Sequence, residues 1–160
     1  MPYPERKIIM GVIGTSRPER KLFQIAEEVG KEIALQGCIL ICGGLGGIME
    51  AVAKGAKEKN GLTIGILPTD NPSTANKYID IPISTGLGEA RNVIIVKSCD
   101  ALIALGKGYG TLSEIAFALK LNKPLIGIET WKISPQIISF KDPRKAVRKA
   151  IALAKIKKQV

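Results

Sequence analysis

Short apolar runs alternate with longer segments of helical periodicity along most of the chain. The runs are rich in branched aliphatic residues and predict strands at residues 7–13, 38–42, 62–67, 79–83, 101–105 and 125–128. Segments 19–35, 47–59 and 111–121 lie between them and predict helices. Residues 85–98 also predict a helix, although Val93 to Val96 are all β-branched, because parallel neighbouring strands need a crossover connection.

The end of the chain carries one more helix. Asp142 and Pro143 form an N-cap followed by proline at the first helical position, which predicts a helix from there to about Lys157. A short seventh strand is predicted at Ile137 and Ile138. Strands that alternate with helices predict a Rossmann-like three-layer α/β/α fold with a mostly parallel, doubly wound sheet of six to seven strands. We expect one nucleotide-binding domain over residues 1–160, since no linker interrupts the pattern.

The composition narrows the class of protein. Only 4% of the residues are aromatic, so the core is aliphatic, as in buried parallel sheets. No apolar run is long enough to span a bilayer, and charged residues close to the first strand do not fit a signal peptide. We therefore expect a cytoplasmic protein without a membrane partner.

Several kinds of catalytic and metal site are excluded by residue type. The chain has no histidine, which removes histidine-based triads and zinc sites of the HExxH kind. Its three cysteines, Cys38, Cys42 and Cys99, fit no zinc spacing and no disulfide framework, and we interpret them as buried apolar residues. No metal site is predicted.

Positive charge is concentrated in the last helix. The net charge is +10, and residues 141–160 hold eight Lys or Arg and one Asp. A basic helix can bind nucleic acid, but it is more often a solvated face, and aromatic residues for base stacking are not interleaved with it. Nucleic acid is therefore not an expected partner.

Two glycine-rich loops, at residues 43–47 and 106–110, each follow a predicted strand and open a helical segment. Glycine lets the backbone approach a phosphate, and a helix N-terminus offers free N–H groups. Together with the turn after the first strand, they predict a phosphate- and nucleotide-binding site formed by the following residues: Gly14, Thr15, Ser16, Gly43, Gly44, Gly46, Gly47, Met49, Gly106, Gly108, Tyr109, Gly110 and Thr111.

The loops also have a purely structural interpretation, in which the glycines allow tight turns and close helix–sheet packing. Neither loop matches GxGxxG, and the ATPase pattern GxxxxGK[ST] is absent. The nearby charged residues also have both a structural and a functional interpretation. Glu50 and Glu114 in first helical turns can complement a helix dipole or, for Glu114, face the ligand. Arg91 can form a surface ion pair or bind the ligand, and Asp100 is expected to cap backbone N–H groups.

At this point the chain resembles a known superfamily, the Lonely Guy proteins. The matching residues are, in order, Gly43-Gly44-x-Gly46-Gly47-x-Met49-Glu50-Ala51, Gly55-Ala56, Gly65-Ile66-Leu67-Pro68, Arg91 and Gly110-Thr111-x-x-Glu114. Within the superfamily the chain is most similar to the branch of small Rossmann-fold proteins that includes the molybdenum cofactor carrier proteins.

The resemblance implies a Rossmann-like domain that forms a homodimer or higher homo-oligomer and binds a nucleotide-like ligand. Lonely Guy enzymes are phosphoribohydrolases that cleave cytokinin nucleoside 5′-monophosphates, and on that model Arg91 and Glu114 are the catalytic residues. Gly106-Lys107 here replace Pro-Gly of the enzyme motif, and Asn92 replaces a Lys.

Two functions therefore remain open: binding of a nucleotide-like or molybdopterin-type ligand, and hydrolysis of a nucleoside monophosphate. No cofactor is expected to be required. The lysine decarboxylase label that many members carry needs pyridoxal phosphate on a Schiff-base lysine, and the sequence shows no such site.

Overall fold

The computed structural model describes residues 5–159 and contains one seven-stranded sheet in which every strand pair is parallel. The strands run in the order β4-β3-β2-β1-β5-β6-β7. Their bounds are β1 Ile9–Gly14, β2 Ile39–Cys42, β3 Thr63–Leu67, β4 Ile81–Ser84, β5 Ala101–Leu105, β6 Leu125–Ile128 and β7 Ile137–Ser139. The predicted Rossmann-like fold with a doubly wound parallel sheet is therefore confirmed.

Five α-helices cover the two faces of this sheet. They are α1 Arg20–Leu35, α2 Ile48–Glu58, α3 Asn92–Ser98, α4 Tyr109–Lys120 and α5 Pro143–Lys158. The apolar faces of α1, α2 and α5 build one aliphatic core, and those of α3 and α4 build the other. The helices are amphipathic because their apolar residues recur at helical spacing, so each buries one stripe against the sheet.

Two helix starts differ from the sequence prediction. Residues 85–98 do not form one continuous helix: a 3-10 turn at Gly88–Arg91 precedes α3. The positive φ angles of Gly86 and Gly88 are incompatible with a regular helix, so α3 begins only at Asn92. Conversely, α4 begins two residues earlier than predicted, because Gly108 is extended and Tyr109 is already helical.

Helices α1 and α2 approach each other unusually closely through two glycines. A Cβ on Gly30 would lie 2.0 Å from the carbonyl oxygen of Val52, and a Cβ on Gly55 would lie 2.0 Å from that of Glu27. Only glycine fits at either position, because any side chain would collide with backbone rather than with a flexible group. The spacing of the two helices is thus fixed by Gly30 and Gly55.

The three cysteines are free and buried, as predicted. Among residues 5–159, no helix is long and apolar enough to cross a membrane. The same residues contain no group of three or more cysteine, aspartate or glutamate side chains that could hold a metal ion. Residues 1–4 and 160 of the predicted domain lie outside the described residues.

Candidate functional site

Successive strands are added first on one side of β1 and then on the other, and the site lies at this change of side. From β1 the chain runs outward through β2, β3 and β4, and then returns to place β5 on the other side of β1. In such sheets ligands bind at the carboxyl ends of the strands near the reversal. A cavity of about 630 Å³ is found there. Its walls are the turn after β1, the first glycine loop, the 3-10 turn before α3 and the start of α4.

Most of the predicted site residues line this cavity. They are Gly14, Thr15, Ser16, Gly43, Met49, Arg91, Gly108, Tyr109, Gly110, Thr111 and Glu114. The other four predicted residues, Gly44, Gly46, Gly47 and Gly106, are in the loops but do not line it. The two glycine loops and the turn after β1 thus meet at one cavity, which is the arrangement that a shared ligand requires.

The first glycine loop owes its shape to close contacts. A Cβ on Gly43 would lie 2.8 Å from a guanidinium nitrogen of Arg91, so glycine here makes room for that side chain. Gly44 has a φ of +76° and directs its carbonyl oxygen to the backbone N–H of Asn76 at 2.8 Å. The Asn76 side-chain amide also donates to the carbonyl oxygen of Leu45 at 2.8 Å. Asn76, in the loop after β3, therefore holds the first glycine loop in place.

The turn after β1 connects both loops through Thr15. The backbone N–H of Thr15 donates to Leu105 at the end of β5, at 3.2 Å, and its carbonyl oxygen accepts from the N–H of Ile48 at the start of α2, at 3.1 Å. Gly47 has a φ of +67°, and a Cβ there would lie 2.5 Å from the backbone of Ser16. These contacts fix the position of α2 relative to β1 and β5.

The second glycine loop ends at a helix N-terminus that faces the cavity. Gly106 has a φ of +80°, and its carbonyl oxygen accepts from the Thr130 hydroxyl at 2.6 Å. Gly108 is the N-cap of α4, and no side chain caps that helix. The first N–H groups of a helix have no partner within it. Thr111 adds a buried hydroxyl that has no hydrogen-bond partner among the described residues, so this turn holds donors without acceptors.

Arg91 is buried, not a surface residue, and it is held by its neighbours. Its guanidinium donates a hydrogen bond to the side-chain oxygen of Asn92. The Asn92 amide donates to the Ser113 hydroxyl at 3.1 Å, and that hydroxyl donates to the carbonyl oxygen of Gly110 at 2.7 Å. We call the chain of contacts Arg91–Asn92–Ser113–Gly110 the arginine relay. It connects the start of α3 to the first turn of α4.

Glu114 lies beside Arg91 but is not hydrogen-bonded to it. The closest nitrogen–oxygen distance between the two side chains is 3.8 Å, and the Nε of Arg91 has no hydrogen-bond partner among the described residues. Burial raises the pKa of Glu114 to about 8, the positive charge of Arg91 opposes that rise, and the negative charge of Glu89 adds to it. At neutral pH the Glu114 carboxyl is therefore mostly protonated and uncharged.

The remaining charged residues of the sequence prediction lie elsewhere. Asp100 accepts hydrogen bonds from the backbone N–H of Ile9 at 2.8 Å and from Arg6, so its capping role is confirmed. Glu50 is in the first turn of α2 and does not line the cavity, which fits the helix-dipole interpretation.

Several residues of the site were not singled out as site residues from sequence. The sequence indicates Asn92 only as a replacement for lysine. It does not indicate Ser113, Glu89, Leu45 or Asn76 as site residues. The first four line the cavity, and Asn76 fixes the loop beside it. One sequence feature could have indicated Ser113: it follows Gly110 by three residues, so the two lie one turn apart on a helix.

The family can now be assigned. A model of the SLOG cluster4 family matches residues 7–160. The chain belongs to the SLOG cluster4 family. An uncharacterized protein of Archaeoglobus fulgidus is 48% identical over 143 residues, which cover 89% of this chain and 94% of that protein. A cytokinin riboside 5′-monophosphate phosphoribohydrolase of Mycobacterium tuberculosis is 32% identical over 121 residues, covering 69% of this chain and 64% of the enzyme.

Solved structures with the same fold include a protein named as binding the molybdenum cofactor and one named as carrying it. The molybdenum cofactor binding protein of Rippkaea orientalis is 38% identical with a TM-score of 0.88, and the alignment covers 94% of this chain and 99% of that one. The molybdenum cofactor carrier protein of Chlamydomonas reinhardtii is 36% identical with a TM-score of 0.84, over the same shares of the two chains. Both the Lonely Guy resemblance and its carrier-protein branch are thus confirmed.

Proposed function

We propose that this SLOG cluster4 protein binds a phosphate-bearing, nucleotide-like ligand of the nucleoside monophosphate or molybdopterin type in the 630 Å³ cavity. One observation carries the proposal: the uncapped first turn of α4 and Thr111, whose buried hydroxyl has no hydrogen-bond partner among the described residues, line a cavity that the other glycine loop also lines. Buried donors without acceptors are costly, and a phosphate would satisfy them.

The size of the cavity is consistent with such a ligand. Small-molecule sites usually have volumes of about 300–1,000 Å³, and this cavity lies within that range. The proteins described as binding or carrying the molybdenum cofactor share the fold over nearly the whole chain, and the phosphoribohydrolase relative acts on a nucleoside monophosphate. A phosphate attached to a heterocyclic ring system is common to both kinds of ligand.

The two buried charged residues of the cavity also favour an anion at neutral pH, whereas the third charged residue that lines it, Glu89, is exposed. Arg91 is positive, whereas Glu114 is mostly uncharged because its pKa is raised to about 8. A protonated carboxyl can donate a hydrogen bond to a phosphate or carbonyl oxygen, and it does not repel a negative ligand. Arg91 keeps an unpartnered Nε for the same purpose.

The second candidate function is hydrolysis of a nucleoside 5′-monophosphate, and the Arg91–Glu114 pair in the cavity favours it. In that reaction water adds to C1′ of the ribose, the bond from C1′ to the base nitrogen breaks, and the base takes up a proton. Glu114 would assist by holding the water or by stabilising positive charge on the ribose, and Arg91 would bind the phosphate. The carboxylate form that charge stabilisation needs is the minor form at neutral pH.

Calorimetric titration of the protein with AMP, GMP and ribose 5-phosphate tests the binding proposal. We expect measurable affinity for these phosphates and none for adenosine at the same concentration. A Thr111→Val variant should weaken AMP binding by about fivefold, since one hydrogen bond contributes ~1 kcal/mol. A Ser98→Ala variant, altered at an exposed hydroxyl away from the cavity, should bind as the native protein does.

Release of ribose 5-phosphate from the same nucleotides separates the two functions. Binding without release supports a binding or carrier protein, and release that disappears in Glu114→Gln supports the hydrolase. If adenosine binds as well as AMP, or if no phosphate binds at all, the proposed role of the glycine loops is wrong.

A further inference from the structure

An exposed tyrosine lies at the edge of the cavity and is stacked on the only tryptophan of the chain. Tyr109 is 85% exposed, although it lines the cavity. Its centroid lies 6.3 Å from that of Trp131, and the two ring planes differ by 20°, which is a stacked arrangement. Tyr109 thus has one ring face toward Trp131 and offers the rest of its apolar surface to solvent.

Trp131 is fixed to the same turn that presents the free N–H groups. Its indole N–H donates to the carbonyl oxygen of Gly108 at 3.1 Å, and its ring packs against the core formed by α3 and α4. Gly108 is the N-cap of α4, and Tyr109 is the first residue of that helix. The aromatic pair and the proposed phosphate site are therefore parts of one structural unit, the start of α4.

We propose that Tyr109, supported by Trp131, is a stacking platform for a planar heteroaromatic ring whose phosphate binds at the start of α4. This inference rests on the proposed function and adds the ring to it: the chain would recognise purine- or pterin-like phosphates and discriminate against sugar phosphates that lack a ring. Every heteroaromatic base has a π-face that can stack on tyrosine, so the platform recognises the class of ligand rather than one base.

The position of Tyr109 along the helix suits this role. Its backbone N–H belongs to the first turn of α4, while its side chain is exposed and lines the cavity. The backbone of Tyr109 would therefore contact the phosphate of the ligand and its side chain the heteroaromatic ring, so the distance between the two contacts is set by one tyrosine side chain. A tyrosine side chain has only two torsion angles, so holding its ring against a ligand costs little conformational entropy.

Calorimetric titrations with AMP and ribose 5-phosphate test the platform, because the two ligands share the sugar phosphate and differ by the adenine ring. The native protein should bind AMP at least about tenfold more tightly than ribose 5-phosphate, which is within the range measured for base–aromatic stacking. In Tyr109→Ala that ratio should fall toward one. Tyr109→Phe, which keeps the ring and removes the hydroxyl, should retain most of the preference.

Phe117→Ala provides the matched control. Phe117 is also an exposed aromatic residue of α4, at 40% exposure, but it does not line the cavity. This variant should keep the native ratio of AMP to ribose 5-phosphate affinity. Trp131 gives a second readout, since AMP should change its fluorescence in the native protein and ribose 5-phosphate should change it much less.

The outcomes separate the platform from the proposal on which it rests. If AMP and ribose 5-phosphate bind equally, or if Tyr109→Ala weakens both by the same factor, the platform is wrong while the phosphate site stands. If Tyr109→Ala alters the oligomeric state and leaves the ratio unchanged, the exposed ring is an interface residue and the platform is again wrong. If neither ligand binds, both proposals fail together.

Discussion

Glu114 is the residue whose surroundings most change its chemistry. Its carboxyl is buried in a cavity that Arg91 shares, yet the guanidinium donates to Asn92 rather than to the carboxyl. Desolvation disfavours the charged form, and without a direct hydrogen bond from Arg91 it is only partly offset. The raised pKa of about 8 follows from this competition for Arg91.

Anion binding should therefore weaken as the pH rises from 7 to 9. Glu114 loses its proton over this interval, and its negative charge then repels the phosphate. The second ionisation of a phosphate group, with a pKa near 6, is about 90% complete at pH 7, and its remainder would strengthen binding to Arg91 as the pH rises, opposite to the expected effect. Titrations with AMP at pH 7, 8 and 9 should show falling affinity in the native protein and a nearly constant affinity in Glu114→Gln.

The same pKa sets a trend in stability. Because the folded pKa of about 8 lies above the ordinary value of 4.5, the folded state holds its proton more tightly, and stability falls as the pH rises from about 4.5 through 8. Glu114→Gln removes the ionisation, so this variant should gain thermal stability relative to the native protein at pH 9. Melting curves at pH 6 and pH 9 measure the difference, and a constant difference would contradict the assigned pKa.

Asn92 controls which partner Arg91 uses. In Asn92→Ala the arginine relay is broken, and the guanidinium is free to pair with Glu114. We expect AMP affinity to fall about fivefold, consistent with the ~1 kcal/mol of one hydrogen bond. The pH at which binding weakens should also shift below 8, because a closer Arg91 favours the ionised form of Glu114. A purely structural role for Asn92 would change the affinity and leave that pH unchanged.

At the scale of secondary-structure elements, the turn that leads into α2 requires glycine at one position, Gly47. Gly47 combines a positive φ with a close approach to the backbone of Ser16, so no other residue fits without moving the turn after β1. Gly46 beside it has no positive φ, and a Cβ there would have open space around it. The two glycines of one loop thus have different requirements, although they look equivalent in the sequence.

Substitution of the two glycines by alanine tests this difference. Gly47→Ala should destabilise the protein by about 1–3 kcal/mol, the usual cost of a strained backbone conformation, and lower the melting temperature by several degrees. Gly46→Ala should change the free energy of unfolding by less than about 0.5 kcal/mol. Thermal and urea unfolding of both variants measure these effects, and equal losses would contradict the assignment.

The elements themselves were predictable because their causes are local. The five inner strands, β1, β2, β3, β5 and β6, are largely buried on both faces and therefore appear as continuous apolar runs, and each helix buries one stripe. The contacts that complete the site connect residues far apart in sequence: Asn76 and Leu45 are 31 residues apart, Trp131 and Gly108 are 23 apart, and Asn92 and Ser113 are 21 apart. The spacing of apolar residues along the chain carries no information about such distant pairs. The glycine loops could therefore be predicted, but the side chains that hold them in place could not.

At the scale of the whole molecule, the excess positive charge and the cavity are separate features. Helix α5 contains many basic residues, and its Lys158 donates to the carbonyl oxygen of Arg6, before β1, at the amino ends of the strands and therefore opposite the cavity. Two of its cations are used in ion pairs, Arg148 with Glu32 and Arg144 with Glu28. The other face of α5 is buried in the core, so the helix stabilises the fold whatever its charge does.

Neutralising part of this charge should leave the cavity unaffected. A triple variant in which Lys145, Lys149 and Lys157 become Gln changes exposed residues that do not line the cavity. Its AMP affinity and melting temperature should match those of the native protein, while it elutes from heparin at lower salt. Truncation of α5 is not an equivalent experiment, because it would expose the core. A loss of AMP affinity in the triple variant would show that α5 acts on the site.

Gly30 and Gly55, between α1 and α2, also influence the shape of the cavity. The loops that border the cavity lead directly into these two helices, so the separation of the helix axes sets how far apart the loops stand. Because any side chain at position 30 or 55 would collide with backbone, a substitution there would have to push the axes apart and would move the two loops, although neither glycine lines the cavity. The shape of the cavity therefore depends on the packing of two helices as well as on the residues that line it.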